Sequence, residues 1–290
     1  MEAPMPAQLL EICCDSPASV RLALLGGADR VELCARSSLA VGGLTPSVGL
    51  AARSLAHCSP HQLVAMVRCR CGDFNYDAGE VDEMCHDVAA LRARGVTTFA
   101  FGALTPDGSV DAAALGRIAA AIGKESKLVF HRAIDELLAA CFSLQEIDAL
   151  VQQLALLGVC RILSSGGADS ALKGRSTLFV LQKTCERHGV ELCVAGGVRR
   201  GVAAALRATG AMQFHAASAV AEIIHRGASG SLFAAADQRV DPDKVRGLVA
   251  ALRAAAAQDG TDEDDSWYMR AWRSLAPSPP SARHRAGTAR

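Results

Sequence analysis

Hydrophobic positions along the chain fall into short runs separated by longer amphipathic stretches. The first run, Leu9 to Cys14, ends in Asp15-Ser16-Pro17, where Ser16 suits a helix N-cap and Pro17 the first helical position. Val20, Leu22, Leu24 and Leu25 then follow a helical pattern that stops at Gly26-Gly27, and a second run covers Arg30 to Cys34. Strand, helix and strand in so short a span make a βαβ unit. Further strand candidates are Gln62–Cys69, Thr97–Leu104, Lys127–Ile134, Arg161–Ser165, Glu191–Ala195 and Met212–Ala216. Helical patterns lie between them at about Val48–His57, Ala78–Arg94, Ala112–Ile122, Leu144–Leu157, Leu178–Arg187 and Arg199–Ala208, with a last one at about Pro242–Ala257.

Eight apolar runs alternating with helices predict a parallel sheet closed into a (β/α)8 TIM barrel over residues 7–257. A doubly wound sheet would want a glycine-rich phosphate turn after the first strand. Cys13-Cys14-Asp15-Ser16-Pro17 holds no glycine. Residues 258–290 change character, first acidic and then rich in Pro, Ser, Ala and Arg, and read as a largely disordered tail. Trp267 and Trp272 sit inside it, either on a short docking helix or as anchors for a partner.

Alternation along a strand puts Glu11, Cys13 and Asp15 on one face of the first run, and Glu32 and Cys34 on one face of the second. Buried Glu is rare without a partner, so this face should line a polar site. In barrels that site lies at the C-terminal strand ends. The polar residues there are Glu11, Glu32, Arg68, Arg70, Asp73, His131, Arg132 and His215, and they form a candidate catalytic mouth in which Glu and His act as acid and base while Arg orients an anion. Ser165-Gly166 and Gly196-Gly197 are placed to offer backbone amides to a phosphate or carboxylate. Cys13 and Cys34 lie near the ends of neighbouring strands, and two thiolates about 4.8 Å apart can hold a soft monovalent ion such as Cu(I).

Composition narrows the classes. The chain carries 30 Lys plus Arg and 30 Asp plus Glu, so balanced charge gives no case for nucleic acid or an anionic membrane. Apolar runs stay short of the roughly 20 residues of a membrane span. The N-terminal Met1 to Leu10 has no basic region ahead of a long apolar one, so a cytoplasmic location is expected. Eleven Cys in that setting argue against a disulfide framework, and no zinc-finger spacing occurs among them.

Six motifs keep the order and spacing of a known family: GGADRVELC (Gly26–Cys34), GGLTPS (Gly42–Ser47), GDFNY (Gly72–Tyr76), FGAL with DG (Phe101–Gly108), FHRAID (Phe130–Asp135) and RILSSGG (Arg161–Gly167). From Leu10 to Ser218 the chain resembles the CutC copper homeostasis proteins. The resemblance implies a TIM barrel, a cytoplasmic homo-oligomer, and a part in intracellular copper handling with Cu(I) as the bound ion. It also assigns Cys13 and Cys34 as copper ligands. The alternative reading is an enzyme acting on a small phosphorylated or carboxylated metabolite at the barrel mouth. Where the family reads Arg-Pro-Arg-Gly-Gly-Asp-Phe, this chain has Arg68-Cys69-Arg70-Cys71-Gly72-Asp73-Phe74, adding two thiols. Ala219 to Gln238 also departs from the family's usual polar run, leaving the loop after the eighth strand open.

Overall fold

The structure is a computed structural model that describes residues 8–141, 143–226 and 235–255. The expected tail, with Trp267 and Trp272, lies outside the described residues. Eight parallel strands close into a barrel in sequence order: β1 (Leu9–Cys14), β2 (Arg30–Leu33), β3 (Leu63–Met66), β4 (Thr98–Phe101), β5 (Lys127–Phe130), β6 (Val159–Ser164), β7 (Glu191–Val194) and β8 (Gln213–Ala216). Closure is made by β1 on β8, from Leu9 opposite Gln213 to Ile12 opposite Ala216.

The connecting helices are α1 (Pro17–Leu25), α2 (Val48–Ser54), α3 (Ala78–Arg92), α4 (Ala112–Ile122), α5 (Ala133–Ala140), α6 (Leu144–Leu156), α7 (Arg175–His188), α8 (Ala203–Arg207) and α9 (Pro242–Ala255). Ser16 caps α1, its Oγ accepting from the Ser19 amide at 3.2 Å. None of these helices is long and apolar enough to cross a membrane.

Each strand sorts its side chains to two sides. Ile12, Val31, Leu33, Phe99, Phe101, Phe130, Ile162 and Phe214 are buried in the layer between barrel and helices. The opposite set, Cys13, Cys34, Val64, Met66, Ala100, Val129, Leu163, Cys193 and Ala195, fills the barrel interior. Several of these inner residues are small, which leaves room toward the C-terminal ends. Deeper in the barrel the interior is polar. Arg30 Nε donates to Glu11 Oε2 at 2.5 Å and its Nη2 donates to Gln213 Oε1 at 3.0 Å, while Arg161 pairs with Glu191 at 2.8 Å. Arg30 and Glu11 satisfy each other, as buried charges must, whereas Glu191 is half exposed and Arg161 Nη1 has no partner among the described residues.

Several elements differ from the sequence expectation. The strands expected to reach Cys69, Leu104 and Ile134 end at Met66, Phe101 and Phe130. The apolar residues beyond them belong to loops and, for Ala133 and Ile134, to α5, whose inner face is buried by Ala133, Ile134, Leu137 and Leu138. After β8 the chain forms an antiparallel hairpin, β9 (Ala221–Arg226) with β10 (Ala235–Val240), before the last helix. The hairpin is tied to α1 where the Val240 amide donates to Ser19 Oγ at 3.4 Å.

Candidate functional site

Three strands, β1, β2 and β8, deliver one connected cluster. The β1–β2 register sets Cys13 opposite Glu32. Cys13 Sγ lies 3.7 Å from Cys34 Sγ and donates to Glu32 Oε2 at 3.5 Å, and Cys34 Sγ stands 3.9 Å from the same oxygen. Across the closure, His215 of β8 bonds through Nδ1 to Glu11 Oε1 at 2.8 Å and places Nε2 3.7 Å from Glu32 Oε2. One donor atom each from Cys13, Glu32 and His215 falls within 4.8 Å of the others. Arg30 grips the far oxygen of Glu11. The chain of contact therefore runs Arg30, Glu11, His215, Glu32, Cys13, Cys34.

Burial decides the charges. Desolvation works against ionised Glu11, but Arg30 and His215 outweigh it and hold this carboxyl well below the usual range. Glu32 has no such guanidinium against it, and burial pushes it up. Burial also works against charge on His215, yet the two flanking carboxylates raise its pKa well above 6.5. The thiol of Cys13 is raised, first by its contact with Cys34 and then by burial. Without a bound ion the thiols therefore keep their protons. Glu32 Oε1 is buried and finds no hydrogen-bond partner among the described residues, an acceptor left open beside two thiols.

The cluster opens into a cavity of 590 Å³ at the C-terminal end of the barrel, within the range of small-molecule sites. One wall is the loop between β2 and α2, which contributes Leu39, Val41, Gly42 and Gly43. Gly43 has φ of +87°, and a Cβ there would sit 2.6 Å from Cys34 Sγ, so the chain needs glycine to close over this thiol. Arg68 staples the loop down: its Nη1 donates to Val41 O at 2.7 Å and its Nη2 to Gly72 O at 2.7 Å. The Phe74 ring stacks 5.0 Å from the guanidinium.

His131 lies 3 % exposed on the opposite wall, its Nδ1 accepting from the Ala133 amide at 3.2 Å and its Nε2 without a partner among the described residues. Burial and the Arg68 charge hold its pKa down at about 3, so it is neutral. Arg132 also lines the cavity, but its Nε is bonded to Asp135 and its Nη2 to Ser165 Oγ, both at 2.8 Å.

Not all the polar residues expected at the mouth share it. Arg70 and Asp73 sit past the end of β3 and pair with each other at 3.0 Å, and Arg70 also bonds Glu80 at 2.5 Å. This is a latch on α3 that does not line the cavity. Cys69 is half-buried and Cys71 exposed, and neither lines it. The amides expected near Ser165-Gly166 are engaged within the protein. Asp135 accepts from Ser165 N at 2.9 Å and Gly167 N at 3.1 Å, and Gly166 N donates to Ser164 Oγ at 2.8 Å. Gly196 and Gly197 do border the cavity. Their amides make no hydrogen bond among the described residues. Asp135, the last residue of the FHRAID motif, follows His131 and Arg132 at the end of β5, in the first turn of α5, from where its carboxylate reaches the loop after β6.

The fold and site define a class, a (β/α)8 barrel with paired thiols, a carboxylate and an imidazole gathered in its mouth. The CutC family profile matches residues 8–220. A CutC family protein of Porphyromonas gingivalis is 39 % identical over 215 residues, 72 % of this chain and 80 % of that protein. Another from Chromobacterium violaceum is 38 % identical over 255 residues, 86 % of this chain and 98 % of its own length. Among solved structures, the putative copper homeostasis protein CutC of Streptococcus agalactiae superposes with a TM-score of 0.64 at 26 % identity, covering 72 % of this chain and 97 % of that one. The chain belongs to the CutC family.

Proposed function

We propose that this protein takes part in copper homeostasis by binding Cu(I) at Cys13 and Cys34. The observation that carries the reading is the 3.7 Å separation of two buried, free thiols, of which Cys13 lines an accessible cavity. Thiolate is the ligand type that selects Cu(I) over harder cations. Glu32 and His215 stand beside the pair. The open lone pairs of Glu32 Oε1 supply an acceptor for the thiol protons or a further donor to the ion. Copper is here the cargo, and the reading takes the protein as a cytoplasmic homo-oligomer, as the family resemblance implies.

The test is anaerobic Cu(I) titration of the metal-free chain against a chromophoric competitor. A single Cu(I) should bind, and Cys13→Ser with Cys34→Ser together should abolish it. Unchanged stoichiometry in the double variant would discard the reading.

A further inference from the structure

The copper reading uses only one side of the cavity. The other side presents donors that the protein leaves partly unmet. Arg68 is 5 % exposed, yet no carboxylate stands within ion-pair distance of it among the described residues; backbone carbonyls receive its Nη1 and Nη2, and its Nε has no partner there. A buried cation ordinarily has a counter-charge. Because His131 accepts the Ala133 amide at Nδ1, its single proton sits on Nε2, a second buried donor without an acceptor. The Gly196 and Gly197 amides form a third, at φ of +94° and +76°. All of these residues border the same cavity.

We propose that this side of the mouth is an oxyanion subsite, in which Arg68, His131 and the Gly196–Gly197 amides hold the phosphate or carboxylate of a small organic metabolite. Guanidinium and backbone amides are the groups that recognise such anions. The carboxylates on the rim do not compete for the subsite. Asp135 is held by Arg132 and by the loop after β6, and Glu136 is exposed to solvent. The body of the ligand has an apolar surface to lie on, made by Leu39, Met66, Leu163 and Val198. A neutral imidazole suits the task, since it donates to an anion at every physiological pH. The assignment adjusts the anion site the sequence suggested: Gly196-Gly197 and Arg68 stay, Ser165-Gly166 leave, and His131 joins as a donor.

The subsite stands whether or not copper binds, and its test keeps the two apart. Inorganic phosphate is titrated into the metal-free chain and followed by NMR. Saturable shifts are expected at the Gly196 and Gly197 amides and the His131 ring. His131→Phe, which keeps the ring against Phe74, should weaken binding by about tenfold. Arg68→Gln should weaken it at least as much, and its fold is checked by circular dichroism because Arg68 also staples two loops. Glycerol 3-phosphate, glycerate and glycerol then separate phosphate from carboxylate, with neutral glycerol expected not to bind. Cys13→Ser/Cys34→Ser should bind phosphate like the parent. Absence of saturable shifts at these residues, undiminished affinity in His131→Phe, or equal binding of glycerol would overturn the proposal.

Discussion

Cys13 and Cys34 are 21 residues apart in sequence, and their sulfurs lie 3.7 Å from one another. The register is the cause. Cys13 stands opposite Glu32, and Cys34, two residues further on, points to the same side of the wall one step toward the mouth. No disulfide is formed, and the loop carrying Gly43 lies directly on the second thiol.

Gly43 therefore controls the thiol pair. In Gly43→Ala the new methyl would fall 2.6 Å from Cys34 Sγ, at a backbone angle that disfavours side chains. A loss of about 1–3 kcal/mol is expected. The two causes separate in a double-mutant cycle: removing the sulfur with Cys34→Ala should recover the steric share and leave the backbone share. Urea denaturation of the four proteins measures this, and equal costs in both backgrounds would mean that the loop does not press on the thiol.

The ion pair beneath the site should be a large local contributor. Arg30 and Glu11 are buried at 8 % and 4 % side-chain exposure and meet at 2.5 Å. Replacing Arg30 with Met leaves Glu11 charged and poorly compensated, so a cost of about 3–5 kcal/mol is expected. Exchanging both partners for apolar residues should cost less than Arg30→Met alone. Chemical denaturation of the single and double variants decides the order.

Much of this was readable from the chain because strand alternation is local. Once Leu9–Cys14 and Arg30–Cys34 are taken as neighbouring strands, Glu11, Cys13, Glu32 and Cys34 must share a side. The interior partner of Glu11 was not readable: Arg30 lies directly opposite it in the register, but nothing local shows which residues of two strands stand opposite. Arg70 and Asp73 looked equivalent to Arg68 for a different reason. The apolar run gives no mark of where β3 stops, and past Met66 period-two alternation no longer tells which way a side chain turns. The β9–β10 hairpin joins distant positions by pairing between strands, which composition does not encode.

Acid should destabilise the fold partly through His131. Its pKa is about 3 in the protein against 6.5 for a free imidazole, so the unfolded chain binds the extra proton between those values. Stability from this group is complete above about pH 6.5 and falls as pH drops toward 3, by up to about 1.4 kcal/mol per unit. His131→Phe removes the titration, so its stability curve should be flatter over that window than the parent's. Denaturant melts across the range measure the slopes. Parallel curves would mean that His131 takes up its proton in the native state as readily as in the unfolded one.

Asp135 supplies the last prediction, because it occupies a cradle that would otherwise take an anion. Its carboxylate accepts from the Ser164 hydroxyl at 2.7 Å, the Ser165 amide at 2.9 Å and the Gly167 amide at 3.1 Å, and it pairs with Arg132. Asp135→Gly leaves these donors unmet next to a free guanidinium, and each buried unmet donor costs about 1–3 kcal/mol. The hole is the size of the carboxylate removed. Formate or acetate should therefore raise the melting temperature of Asp135→Gly well beyond any effect on the parent, and chloride at the same ionic strength should not. Asp135→Asn keeps one acceptor oxygen in place, so it should lose less stability and respond less to formate. If formate moved both variants and the parent alike, the loop after β6 would owe its shape to the backbone and not to this side chain.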